Sequence, residues 1–483
     1  MPVTVLWFRR DLRLQDQPAL ATARREAGPG GTVVPLFVVD PAVLGPVGPN
    51  RRRFLAGCLR ELHHDTEGAL VMRAGDPVRA VPQLAREVGA QMVVASGDYG
   101  PYGARRDRTV GEALAAQGAV LRTEGSPYAV EPGRPRAASG APFRVFTAYY
   151  RAWSHLGWGA PVDSPPPRWG SAPSGTGWAA VEEGLARPGT MGLPDWWEGL
   201  PLGPAAQSPP PGESAGRARL EEFVAGPLAD YARDRDRMGT DGTSKLSPYL
   251  HLGCLHPRTV LEAAGTGRGA ERLRSEVAWR DFYADVLWHK PASAHRPLQP
   301  FGEHLEWDTG QTARHRFEAW ARGRTGYPVV DAAMRQLLAE GWIHNRARMV
   351  AASFLVKDLH LDWCLGARWF MWHLVDGDLA SNQHGWQWVA GTGTDAAPFY
   401  RVFNPHTQQE RFDPDGSYVR RYIPELGPPG PGGRHIGWGA LPSPAGAYPG
   451  PIVDHAAERQ EALDRFNRAR RAVSAAGAGR ALR

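Results

Sequence analysis

The first 125 residues alternate short β-branched runs with segments of helical spacing. Val3–Phe8 (VTVLWF), Thr32–Val39 (TVVPLFVV), Ala69–Arg73 and Gln91–Ala95 read as strands; Asp16–Ala27, Arg51–His63 and Val78–Gly89 read as the helices between them. Apolar strands separated by helices need cover on both faces of their sheet. The pattern therefore predicts a doubly wound parallel sheet, a Rossmann-like α/β domain over residues 1–125. Residues 126–215 lose that rhythm. SPPPRWGSAPSGTGW (164–178) and PLGPAAQSPPPGESAG (201–216) are loop signals, with one short helix expected at Phe143–Trp153. This stretch is expected to be an interdomain linker draped over the surface. From 216 to 483 the apolar spacing is helical. It marks Arg217–Tyr231, Ala270–His289, Arg314–Arg322, Val329–Glu340, Trp342–Asp358 and Ala367–Leu374, then a Gly/Pro-rich loop at Pro424–Gly450 and a terminal helix at Asp454–Ala472. The predicted fold class is α/β plus all-α.

Composition narrows the class. A net charge of +6 and a pI near 9.3, supplied mostly by Arg, favour an anionic partner, with nucleic acid ahead of membrane. No run of about 18 apolar residues is present, and MPVTVLWFRRDLRL has no signal-peptide core. Cys58, Cys254 and Cys364 are odd in number and far apart in the chain, which argues against a disulfide framework. A cytoplasmic monomer is expected.

The chemistry concentrates late in the chain. Ten of the eighteen tryptophans lie between Trp279 and Trp388. They alternate with Arg, Asn, Asp and His where a plain core would carry Leu or Val, so a flat, charged group is expected among them. In EVAWRDFY (276–283), Glu276, Trp279, Arg280 and Tyr283 recur at i, i+3, i+4 and i+7 and share one helix face. That face either lines a pocket or is solvated around one packed ring. In GWIHNRARM (341–349), Arg348 needs a carboxylate if buried, and Asp376 is the candidate. DGTSKLSPYL (241–250) offers Thr243, Ser244 and Ser247 with Lys245, either a phosphate cradle or an ordinary helix cap. DGDLASNQHG fails as a calcium loop because Ala380 holds its fifth position. GESAG follows a proline run, not a strand, and is no nucleophile elbow. GTGRGAER lacks the preceding strand of a dinucleotide fingerprint.

Taken in order, WFRRDLRLQD (7–16), DGTSKLS, EVAWRDFY, GYPVVDAAMRQL (326–337), GWIHNRARM, DGDLASNQHGWQW (376–388) and GTGTDAAPFYRVFNP (391–405) resemble the photolyase/cryptochrome family. The nearest likeness is to class I cyclobutane pyrimidine dimer photolyases. The resemblance implies light-driven repair of pyrimidine dimers in DNA by an electron from reduced FAD, with a cryptochrome photoreceptor as the alternative. Only His344 stands where a (6-4) photolyase would carry a histidine pair. It implies that Tyr231, Thr243, Ser244, Lys245, Leu246 and Ser247 hold flavin phosphates and ribose, and that Arg280, Asn345, Arg348, Asp376, Gly377 and Asp378 surround the ring and ribityl chain. Asn382 would face the flavin N5. Glu276, Trp279, Asn345, Arg346, Met349 and Trp388 would form the lesion pocket, with Arg235 and Arg346 on flanking phosphates. Trp386, Trp363 and Trp307 match the family's electron chain. Folate-binding members carry an Asn-Glu pair where this chain has Tyr102 and Gly103. An 8-hydroxy-5-deazaflavin antenna is therefore expected ahead of methenyltetrahydrofolate.

Overall fold

The computed structural model describes residues 1–170, 178–186, 192–394, 400–427 and 448–481. Five strands form one parallel sheet: β1 (Val3–Phe8), β2 (Thr32–Val39), β3 (Val71–Ala74), β4 (Met92–Ala95) and β5 (Val120–Thr123), in the order β3-β2-β1-β4-β5. Helices α1 (Pro18–Ala27), α2 (Pro49–Asp65), α3 (Pro77–Glu87) and α4 (Pro101–Ala115) supply the crossovers. The central strands are buried along nearly their whole length, as a sheet covered on both faces requires. β5 and α4 carry no strong apolar signal. β5 is an exposed edge, and α4 buries only Gly103, Arg106, Val110 and Leu114.

The stretch 126–215, expected as an interdomain linker, does not merely drape over the surface. Its helix α5 (Phe146–Leu156) buries Tyr149 and Trp153 completely, and Trp197 is equally buried in the helical domain. Trp153 Nε1 and the Val130 amide both donate to Asp281 at 2.9 and 3.0 Å, tying the linker to the long helix behind it. The Pro/Gly composition reports the turns and hides these aromatic anchors. The linker signal SPPPRWGSAPSGTGW extends into residues 171–177, and most of Pro424–Gly450 and part of GTGTDAAPFYRVFNP also lie outside the described residues.

The second domain is built mainly from α6 (Glu213–Ala225), α7 (Ser247–Leu252), α8 (Arg268–His289), α9 (Pro328–Glu340), α10 (Asn345–Lys357), α11 (Trp363–His373), α12 (Leu379–Ala390) and α13 (His455–Ala481), with further helices at Pro257–Ala264, Gly310–Ala321 and Pro405–Phe412 and shorter turns between them. The apolar spacing does not predict α12. Its buried positions mix Gln383, His384 and Gln387 with Ala380, Trp386, Val389 and Ala390, so no continuous aliphatic stripe announces it. One apolar cluster runs continuously from Leu6 and Phe8 of the sheet to Leu246 and Tyr249 of the helical domain. Buried Cys58 and Cys254 meet across this boundary with sulfurs 3.6 Å apart and remain free thiols. No helix among the described residues is long and apolar enough to cross a membrane.

Gly253 closes the same boundary. Its φ is +70°, and a Cβ there would lie 2.0 Å from the Arg10 carbonyl oxygen. Gly253→Ala is expected to cost about 2 kcal/mol or more, through left-handed strain and backbone collision. Thermal and urea unfolding should show an earlier transition; an unchanged midpoint would mean the domains are not in this contact.

Candidate active site

A cavity of about 590 Å³ opens in the helical domain. Three helices and two loops converge on it. From α8 come Glu276, Trp279, Arg280 and Tyr283, the four positions that helical spacing puts on one face. The start of α10 brings Asn345, Arg346, Arg348 and Met349; α12 brings Asn382, Trp386 and Trp388. The turn before α7 and that helix's first residue add Ser244, Leu246 and Ser247, and the α11–α12 loop adds Asp376, Gly377 and Asp378. Tyr231 and Arg235 complete the expected set.

Four expected residues stand outside the wall. Lys245 adopts φ +52°, which turns its side chain out to Asp241 at 2.9 Å. Thr243 gives its carbonyl to Arg219, which also binds the Ser244 carbonyl, so the loop is held from behind. Trp363 is buried at the start of α11, and Trp307 is half-buried in the loop before Gly310; both pack into the helical core that holds Trp386. Trp386 itself meets Phe370 and Trp320 at ring-centroid distances of 5.0 and 6.2 Å.

Charge in the cavity is paired. Arg348 donates to Asp376 Oδ2 at 2.8 Å and to the Ile343 carbonyl. Arg280 donates to the Pro127 and Leu250 carbonyls and lies over the Tyr128 ring. Asp378 caps α12 by accepting from the Ser381 amide and pairs with Arg10 of the α/β domain at 2.6 Å. Burial alone would raise the Asp378 carboxyl; Arg10 and Arg280 instead hold it well below the usual carboxylate range. Burial pushes the Glu276 carboxyl up, and Arg235, 2.9 Å away, opposes this. Arg272 reaches the same oxygen at 3.1 Å. Arg346 pairs with Asp236 at 3.0 Å and lies over the Phe412 ring. Both arginines expected to meet phosphates thus rest on carboxylates.

Asn382 has a fixed orientation. Its amide nitrogen donates to the Ala367 carbonyl and to Gln383 Oε1, so its oxygen is the group left to accept among the described residues. The DGD loop is clamped from the other domain. Arg51 donates to the carbonyls of Gly377 (2.5 Å) and Met371 (2.6 Å), and Asn50 to that of His373. A Cβ at position 377 would meet Arg51 Nη1 at 2.6 Å. Sequence reasoning missed Arg10, Arg51, Arg219, His251 and Arg272. Arg272 stands one turn before Glu276 on the same face and could have been found; the arginines of the first domain carry no local signal. Burial holds His251 well below the ordinary histidine range, so it lines the wall as a neutral ring.

A second cavity, about 670 Å³, lies at the carboxyl ends of the strands, where the order reverses between β1 and β4. Trp7, Arg9, Asp40, Asp98, Tyr102 and Arg106 line it. Arg9 and Arg106 stand over the Trp7 ring, Arg106 pairs with Asp98, and the Tyr102 hydroxyl donates to Asp40 at 2.6 Å. His251, Gly377 and Asp378 belong to the walls of both cavities.

The architecture is a parallel sheet with a crevice at its switch point, joined to a helical bundle with an arginine- and carboxylate-lined pocket. Residues 4–168 match the family model of DNA photolyase, and residues 273–468 match that of the FAD binding domain of DNA photolyase. The deoxyribodipyrimidine photo-lyase of Streptomyces griseus is 41% identical over 97% of this chain and 99% of its own. One from Thermus thermophilus is 42% identical over 87% of this chain and 92% of its own. A class III photolyase from Agrobacterium tumefaciens superposes with a TM-score of 0.83 at 34% identity, covering 98% of each chain. The chain belongs to the DNA photolyase family.

The cavity fits FAD on its own evidence. Asp376 Oδ1 is buried without a hydrogen-bond partner among the described residues. A Cβ at Gly385, in the cavity wall, would meet nothing within 4 Å. Room and an unused acceptor therefore coincide. Asp376→Asn is expected to weaken FAD retention at least about tenfold, the scale of one charge-assisted hydrogen bond. Flavin absorbance per chain after gel filtration measures it; full flavin content would remove Asp376 from the site.

Proposed function

We propose that this protein is a light-driven DNA repair enzyme that holds FAD in the helical cavity and splits cyclobutane pyrimidine dimers. One observation carries the reading: flavin-side and lesion-side residues of the family motifs face a single cavity. Reduced FAD, when bound, supplies the electron that light makes available to the dimer. The chain supplies orientation, charge and exclusion of water.

Arg348, fixed by Asp376 and Ile343, places a cation beside the flavin ring; this favours an anionic reduced form. Asn382 presents an acceptor oxygen, which suits an N–H at flavin N5. Arg280, Asn345, Gly377 and Asp378 border the ring and ribityl chain, while Tyr231, Ser244, Leu246 and Ser247 take the ribose and phosphate side. On the lesion side, Trp279 and Trp388 offer flat apolar walls, with Met349 and Asn345 between them. Glu276 serves the thymine carbonyl and imide groups when protonated and accepts from N–H when ionised; burial raises its carboxyl and Arg235 opposes this. The dimer leaves the duplex to enter, the extrusion that photolyases as a class share with other enzymes acting on a base inside the stack. Arg346 would exchange Asp236 for a flanking phosphate, which makes binding salt-sensitive. Trp386, backed by Trp363 and Trp307, would deliver electrons when the resting flavin is oxidised.

The second cavity takes a light-harvesting chromophore. Tyr102 and Gly103 in its wall support 8-hydroxy-5-deazaflavin over methenyltetrahydrofolate. A relative in Sulfolobus tokodaii, 26% identical with a TM-score of 0.79, was solved with two FAD molecules, one implicated in light harvesting.

The test uses the flavin-loaded protein, chemically reduced, with an oligonucleotide carrying one thymine dimer. Blue light should restore the two thymines. Trp386→Phe should repair equally well once reduced and fail only in prior photoreduction. Bound, reduced flavin without restoration would contradict the proposal and support a cryptochrome-type photoreceptor; a Synechocystis cryptochrome shares this fold (TM-score 0.80, 26% identity).

A further inference from the structure

Trp279 forms part of the cavity wall, and its ring is held from behind by a residue of the linker. Phe146, in the first turn of α5, stacks on the indole with centroids 3.7 Å apart and planes 8° from parallel. Tyr150 follows at 5.7 Å and 25°, then Trp153 at 6.1 Å and 18°, then Trp158 at 4.9 Å. The stack is anchored at Trp153, whose Nε1 donates to Asp281, two residues beyond Trp279 on α8. No residue of α5 lines the cavity. The other rings near Trp279 cross it at an angle, Phe282 at 71° and Tyr283 at 45°, so neither sets its plane.

We infer that Phe146 is a positioning residue for lesion recognition: it holds the Trp279 indole flat as the platform on which the extruded pyrimidine pair lies. A ring restrained on one face leaves the other open for stacking. The cost of ordering the indole is met when the protein folds, not when DNA binds. The inference rests on the proposal that this cavity receives the dimer. It assigns the linker a share in substrate choice, though the linker never touches substrate.

The test compares wild type with Phe146→Leu, Phe146→Tyr, Trp279→Ala and the double variant Trp279→Ala/Phe146→Leu. Each holoprotein is titrated with a dimer-containing duplex and with its undamaged counterpart; flavin content reports folding. Leu keeps apolar volume and removes the plane, whereas Tyr keeps the plane. Phe146→Leu should weaken dimer binding about fivefold, the worth of one aromatic stack, and leave undamaged duplex unaffected. Phe146→Tyr should bind as wild type. On the Trp279→Ala background, Phe146→Leu should add no further loss. Unchanged dimer affinity in Phe146→Leu overturns the inference; so does equal loss for both duplexes, or a loss that adds to that of Trp279→Ala. Wild type without any dimer preference would instead bring down the repair reading itself.

Discussion

Two arginines of the α/β domain hold one loop of the helical domain, and the site depends on that grip. Arg10 pairs with Asp378 at 2.6 Å, while Arg51 takes the Gly377 and Met371 carbonyls. The loop presents Asp376 and Asp378, two carboxylates separated by one residue and both nearly buried. Without cations on each side, burial and mutual repulsion would neutralise or expel one of them. Arg348 answers Asp376 from within the bundle; Arg10 answers Asp378 from outside it. Gly377 lets Arg51 approach closer than any side chain would permit. The same loop walls both cavities, so the domain boundary is part of each.

The remaining parts follow from that loop's position. Asp378 caps α12, which turns Asn382, Gly385 and Trp386 toward the cavity. α8 lies across the opening, and its inward face changes from charge at Glu276 and Arg280 to aromatic surface at Trp279 and Tyr283. The linker completes the back of that face through Asp281 and the stacked rings of α5. In the proposed function, recognition of a flat, charged cofactor and of a flat substrate would share one set of walls.

Much of the design is legible in the chain. β1 and β2 have the expected bounds, because central strands buried on both faces read as continuous apolar runs. The one-face arrangement of α8 follows from 3.6-residue spacing, and the Arg348–Asp376 pair from the rule that a buried cation needs a carboxylate. Other features give no such signal. α12 is buried through glutamines and histidine, β5 is an exposed edge, and the linker buries Tyr149, Trp153 and Trp197 amid proline and glycine. Lys245 departs from expectation because its left-handed backbone sends it outward. Arg10 and Arg51 lie hundreds of residues from the groups they hold, and only the folded chain brings them together.

The dissociation constant of FAD from an Arg10→Met variant tests this dependence most directly, since Arg10 is not part of the FAD cavity wall. Removing one partner of a fully buried pair costs about 3–5 kcal/mol, and this part-buried pair should cost less. Even a small part of that, passed through Asp378 to the loop, predicts FAD binding weakened tenfold or more, read by flavin fluorescence on titration of the apoprotein. Binding as tight as in the wild type would contradict the claim that the first domain's arginines build the flavin site.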